Sequence, residues 1–125
     1  MLRVAGGRVY VNGTALNEPY VADKPSYNLE IRNYGIYVSY GAGWQRLDPS
    51  DANVPPASLW LSPNRIPPHC YIMLGDNRND SEDSHIWGFA QDAGPFASGP
   101  RHGAAGGFTG RAFLIFWPPA QAKIL

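Results

Sequence analysis

The sequence predicts an all-β domain, an antiparallel sheet with long irregular connections. Two observations carry the prediction. No segment of helical length keeps a 3.6-residue apolar period, and short apolar-alternating runs are punctuated by 14 glycines and 12 prolines in 125 residues. A chain of this length can bury one core, so residues 1–125 are expected to form a single domain, with 21–68 reading as an insert-like region and 93–107 as a flexible Gly-rich loop.

Leu2 to Val4 and Arg8 to Val11 are short strand candidates around Gly6-Gly7, and Asn12-Gly13 supplies the dipeptide of a tight hairpin, because both residues tolerate positive φ. The same residues with Thr14 match a glycosylation acceptor, but the turn explains them with fewer assumptions. Tyr34 to Tyr40 alternates as a half-buried strand should, and Trp44 to Leu47 can pair back across Gly41-Ala42-Gly43. Asp48 to Pro68 carries six prolines, which cannot donate to a sheet ladder, and should run irregularly with Trp60 pinning it to the core. His69 to Leu74 reads as a buried strand delivering the polar loop Gly75 to Ser84, after which Ile86 to Phe89 resumes apolar packing. Ala93 to Gly107 has the composition of a loop disordered near its centre. Arg111 to Trp117 reads as a last central strand, stopped by Pro118-Pro119 and followed by a tail.

Ten Lys plus Arg balance ten Asp plus Glu without a run of like charge, so the sequence lacks the footprint of a nucleic-acid binder. Cys70, the single cysteine, excludes an intrachain disulfide and a cysteine-based zinc cluster, and is expected to pack. The longest mostly apolar stretch, Ala112 to Trp117, falls far short of the roughly 20 residues of a membrane span, so the chain alone is expected to be soluble.

The stretch Gly75-Asp76-Asn77-Arg78-Asn79-Asp80-Ser81-Glu82-Asp83-Ser84-His85-Ile86-Trp87-Gly88 resembles the hallmark loop of bacterial type I signal peptidases, G-D-N-R-x-x-S-x-D-S-x-x-W-G, at every specified position. Val9 to Gly13, Glu18-Pro19-Tyr20, Pro67 to Leu74 and Gly110 to Pro118 extend the resemblance in the family's order. The loop's carboxylates also invite a calcium reading, but an EF-hand register would need an oxygen ligand at Arg78, glycine at Ser81 and glutamate at Trp87. No metal and no cofactor are expected. On its own chemistry the loop is a tight turn tied down by Asp and Asn, with Arg78 pairing with Asp76 or Asp83.

The resemblance implies a signal-peptidase-like fold and a Ser/Lys mechanism in which the hydroxyl of Ser81 orients a general-base lysine, with Gly75, Asp76, Asn77, Arg78, Asp83 and Ser84 supporting the loop. Such a base is neutral near pH 7 only when desolvated, so Asp76, Asp80 and Asp83 are expected to point away from it. The family's serine and lysine precede the Val-Asn-Gly stretch with which this chain opens. The nucleophile is therefore expected outside the chain, which is expected to be an incomplete catalytic domain, inactive by itself. Lys24 and Lys123 lie in polar or terminal segments and are not credible bases, and a triad built on His85 or His102 lacks a nucleophile elbow. His85 stands where the family has arginine, which makes an ion pair with Asp83 dependent on histidine protonation.

The implied partners are the signal peptides of exported proteins and, through a preceding anchor, the outer face of the cell membrane. An incomplete sheet also invites dimerisation through its exposed edge. The competing readings are a non-catalytic β-domain that binds a partner, and a plasmid-transfer or pilin-processing protease of the same clan.

Overall fold

The computed structural model describes residues 1–92, 114–115 and 123–124. Its centre is a six-stranded sheet in the order β3-β2-β1-β4-β5-β6. The strands are β1 (Leu2–Ala5), β2 (Arg8–Val11), β3 (Thr14–Ala15), β4 (Asn28–Arg32), β5 (Gly35–Ser39) and β6 (Trp44–Arg46), every neighbouring pair antiparallel. The all-β expectation holds; among the described residues the single α-helical element, α1 (Ser84–Trp87), is one turn long.

Alternation within each strand builds the core. Val4 pairs with Val9 and with Leu29, Leu29 with Val38, and Ile31 with Ile36, which places all six side chains on one face of the sheet, all buried. Tyr27, Ala52, Val54, Trp60, Cys70 and Phe89 complete the cluster over that face. Each fully buried Leu, Ile or Phe contributes about 1.5–3 kcal/mol relative to exposure. Cys70 packs in this cluster, where burial pushes its thiol up to about 11.

Hairpin turns set the register. Asn12 (φ 50°) and Gly13 (φ 83°) make the expected tight turn between β2 and β3. The β4–β5 hairpin was not legible as such: Tyr34, expected within a strand, is a turn residue, and Asn33 (φ 52°) and Tyr34 (φ 59°) both adopt left-handed backbone. The proline-rich segment supports that conformation. Tyr34 N–H donates to Pro63 O at 2.9 Å, Asn33 N–H to Asn64 Oδ1 at 3.1 Å, and the Tyr34 ring meets Trp60 edge-on. Trp60 itself is buried, with Nε1 donating to Pro55 O, so it pins the segment as expected.

Three expectations need correction. His69 to Leu74 is not a buried strand. Only β7 (Cys70–Tyr71) is extended in a ladder, paired with β8 (Ala90–Gln91), while Tyr71 and Met73 are exposed and the alternate side chains face inward. Further along, Ser84 replaces the ladder: Met73 N–H donates to Ser84 Oγ and Ser84 N–H to Met73 O. Asn28–Arg32 is a central strand absent from the sequence reading, although its Asn-Leu-Glu-Ile-Arg alternation carries the signal. Finally, β9 (Leu114–Ile115) pairs with β10 (Lys123–Ile124) in a separate ribbon, not in the main sheet, so the expected tail contains a strand that satisfies its backbone locally. The 93–107 loop and the rest of the Arg111 to Trp117 strand lie outside the described residues.

Gly88 (φ 88°) closes the turn after α1 against the backbone of Asn53, whose oxygen accepts from Phe89 N–H; a Cβ at Gly88 would lie 2.6 Å from that oxygen. Gly13 has the same backbone sign and open space around it. Gly88→Ala is therefore expected to cost at least about 2–3 kcal/mol, and Gly13→Ala only about 1 kcal/mol, in urea unfolding. Equal costs would show that strain, and not the close approach, sets the requirement at Gly88.

Candidate functional site, a doubly pinned loop around Ser81

The loop from Gly75 to Ser84 leaves the end of β7 and returns into α1. Its fixed point is the backbone of Gly75. Arg78 Nε donates to Gly75 O at 2.8 Å, and Gly75 N–H donates to Asp83 Oδ2 at 2.9 Å, so both polar groups of one residue are held by side chains from within the loop. The absence of a side chain at Gly75 is a spatial requirement: a Cβ there would lie 2.3 Å from Ser81 Oγ. Ser81 is partly exposed and rests directly on Gly75, and among the described residues no group hydrogen-bonds its hydroxyl.

Arg78 does not pair with Asp76 or Asp83, as the sequence suggested. Its Nη2 and Nη1 donate to Glu18 Oε1 and Oε2 at 2.7 and 3.2 Å, a two-pronged pair across sixty residues, with Arg78 only 3% exposed. The loop's three aspartates are committed elsewhere. Asp76 Oδ1 accepts from Asn77 N–H, Asp80 Oδ2 accepts from Asn77 Nδ2, and Asp83 is taken by Gly75 and His85. The guanidinium, donating two hydrogen bonds, holds the Glu18 carboxyl below its ordinary range against the opposing effect of burial, and Glu18 in turn raises Arg78.

A second tether comes from the segment before β4. Asn79 Oδ1 accepts from the N–H and hydroxyl of Ser26, while its Nδ2 donates to Lys24 O and Asp23 Oδ2. Ala22 N–H donates to Asp76 O, and Asp23 bridges Asn77 in a short parallel contact. Asn79 occupies an unspecified position of the hallmark pattern, and Glu18 was noted only as a motif residue. Sequence reasoning missed both roles because their partners are distant in the chain.

Asp83 and His85 form a buried pair, Nδ1 to Oδ1 at 2.5 Å, and the His85 ring is stacked on Tyr27 at 4.3 Å with the planes 8° apart. Asp83 also accepts from His85 N–H, capping α1. Burial works against ionisation of Asp83, but the hydrogen bonds from His85 and Gly75 outweigh it and hold the carboxyl below its ordinary value. Burial and then the Asp83 charge push the Tyr27 hydroxyl well up, and that hydroxyl is buried with no hydrogen-bond partner among the described residues.

The structure thus brings Gly75, Asp76, Asn77, Arg78, Ser81, Asp83 and Ser84 into one loop, with Ser84 fully buried and facing back to Met73. Lys24 touches this loop only through its backbone; its aliphatic stem lies against Gly7. The open cleft of about 340 Å³ bordered by Arg8, Leu16, Glu18, Val21 and Lys24 flanks the ion pair and does not include Ser81. Among the described residues no group of three metal-binding side chains converges, and no helix is long and apolar enough to cross a membrane.

Comparison with known proteins agrees with the loop. Residues 2–99 match the family described as signal peptidase, peptidase S26. The chain is 34% identical over 124 residues to the probable signal peptidase I-2 of Synechocystis sp., covering 99% of this chain and 36% of that protein. It is 30% identical over 117 residues to the signal peptidase I of Leptolyngbya laminosa, covering 94% and 36%, and 31% identical over 115 residues to signal peptidase IB of Staphylococcus aureus, covering 92% and 46%. The chain therefore spans between a third and a half of the length of these relatives. No solved structure matches it significantly.

Glu18→Gln leaves a buried guanidinium without its counter-charge and is expected to lower stability by about 2 kcal/mol in urea unfolding; an unchanged midpoint would show that Arg78 finds another partner. Acid sensitivity follows from the same groups. Glu18 and Asp83 ionise at lower pH when folded than when unfolded, so their stabilisation is complete above the ordinary values of 4.5 and 3.8 and is lost as pH falls through the folded ones. Unfolding free energies measured across this acidic window should fall less steeply for Glu18→Gln/Asp83→Asn than for the unaltered chain.

Proposed function

The chain belongs to the signal peptidase, peptidase S26, family, and from that membership we propose that it supplies the base-orienting part of a type I signal peptidase active site. In this reading the nucleophilic serine and general-base lysine come from residues outside these 125, and the whole protein cleaves signal peptides of exported proteins at the outer face of the cell membrane. What supports it most is the state of Ser81: a hydroxyl seated on a residue, Gly75, pinned at both its N–H and C=O, and unengaged by any described group.

The chemistry follows the Ser/Lys route. The serine oxygen attacks the scissile carbonyl carbon as the lysine amine takes its proton. The tetrahedral intermediate collapses, the amine of the mature protein leaves with that proton, and water repeats the sequence on the acyl-enzyme. The Ser81 hydroxyl fixes the direction of the lysine amine. A hydroxyl does so without the charge that would keep the amine protonated. Asp83, Asp76 and Asp80 are engaged with Gly75, His85 and Asn77 inside the loop, while no described group takes the Ser81 hydroxyl.

The test joins the segment that precedes the matched region in the Synechocystis relative to Met1 and follows release of a signal peptide cleaved after a small residue. Residues 1–125 alone are expected to give no turnover and the joined protein measurable turnover. Ser81→Ala in the joined protein should lower kcat by about a hundredfold and displace the pH profile, with folding unchanged. Cleavage by residues 1–125 alone overturns the proposal, and so does full activity of the Ser81→Ala protein; a joined protein that folds and binds but never cleaves favours a non-catalytic module.

A further inference from the structure

The face of the sheet opposite the core has a composition that the peptidase reading does not use. The six strands contain four arginines and one acidic residue, and the register puts all five on this outer face. Arg3 pairs with Tyr10 and with Glu30, Glu30 with Tyr37, and Tyr37 with Arg46. Arg8 and Arg32 each stand two residues from a member of that set, and Trp44 stands two residues from Arg46, so all three share the face. In a chain whose charges sum to zero, this is a marked segregation.

The aromatic side chains are interleaved with the cations. The Arg3 guanidinium lies 4.8 Å from the Tyr10 ring centre, and Arg32 lies 3.9 Å from Tyr37 and 5.6 Å from Trp44. Arg3, Arg8, Arg46 and Trp44 are exposed. From β2 to β6 the cations spread over about 20 Å at the usual strand spacing, which is too wide for one small anion and suits an extended anionic surface.

We propose that this outer face docks on an anionic phospholipid surface, Arg3, Arg8 and Arg46 meeting headgroup phosphates, Arg32 being paired with Glu30, and the Tyr and Trp side chains lying at the depth of the headgroups. Single-stranded nucleic acid is the other polyanion that a basic, aromatic sheet can bind, and the geometry disfavours it. Base stacking needs open ring faces, whereas Tyr10 and Tyr37 each already carry an arginine over the ring. Phosphate recognition needs only the outward edges of the guanidinium groups, which stacking leaves available. The inference does not depend on the peptidase reading, since lipid binding is measured without cleavage.

The test uses the 125-residue chain and vesicles of phosphatidylcholine alone or of phosphatidylcholine and phosphatidylglycerol in equal parts. Cosedimentation is expected with the anionic vesicles only, weakening as salt is added, with a blue shift of tryptophan emission that is absent in Trp44→Phe. Arg3→Gln/Arg8→Gln should reduce partitioning roughly twentyfold at low salt, while Arg3→Lys/Arg8→Lys and the off-face Arg65→Gln retain it. Circular dichroism of each variant separates loss of docking from loss of fold. Equal binding to both vesicle types, equal loss with Arg65→Gln, or displacement of the chain from vesicles by a single-stranded oligonucleotide at lower concentration would overturn the proposal.

Discussion

The ion pair between Glu18 and Arg78 is the constraint on which the loop depends. A guanidinium buried this deeply is tolerable only with its charge matched and its donors used, and here Glu18 takes Nη1 and Nη2 while Gly75 O takes Nε. The pair therefore does two things through one side chain. It fastens the segment after β3 to the loop after β7, and it fixes the carbonyl of the residue on which Ser81 rests.

Around that point the polar groups satisfy one another in a closed pattern. Asp83 receives Gly75 N–H, His85 N–H and His85 Nδ1; Asn79 uses its amide to hold Ser26, Lys24 and Asp23; Ser84 replaces a strand partner for Met73. The cost of burying so many dipoles is offset because nearly all of them are paired. The Tyr27 hydroxyl is an exception, and it lies on the ring stacked against His85, beside the loop's central carboxylate. Asp76, Asp80 and Asp83 are used in holding the loop, and the partly exposed Ser81 hydroxyl rests on Gly75.

The sheet explains how two chemically different surfaces coexist. Period-two alternation sends the aliphatic residues of β1, β2, β4 and β5 to one face, where Trp60 and Phe89 cover them. The same alternation sends every strand arginine to the other face. The hallmark loop meets the sheet at Tyr27 and Tyr40, which flank the β4–β5 hairpin on the side away from its Asn33-Tyr34 turn, while the proline-rich segment supports the turn itself.

Local chemistry was enough to determine the all-β class, the Asn12-Gly13 turn, the packing of Trp60 and Cys70, and the course of Gly75 to Ser84 as one polar loop. Each rests on short-range rules of backbone conformation, hydrophobic period or contiguous motif, which a sequence displays directly. The partner of Arg78 could not be read this way. Four carboxylates lie within five residues of it, and only the folded chain shows that Asp76, Asp80 and Asp83 bond within the loop and that Glu18 arrives from sixty residues away. The two-residue length of β7 and the left-handed backbone at Tyr34 were likewise decided by contacts from distant segments, by Ser84 in one case and by Pro63 and Trp60 in the other. Sequence fixes which groups must find partners; the tertiary structure chooses among partners of equal chemistry, because that choice depends on distance and burial.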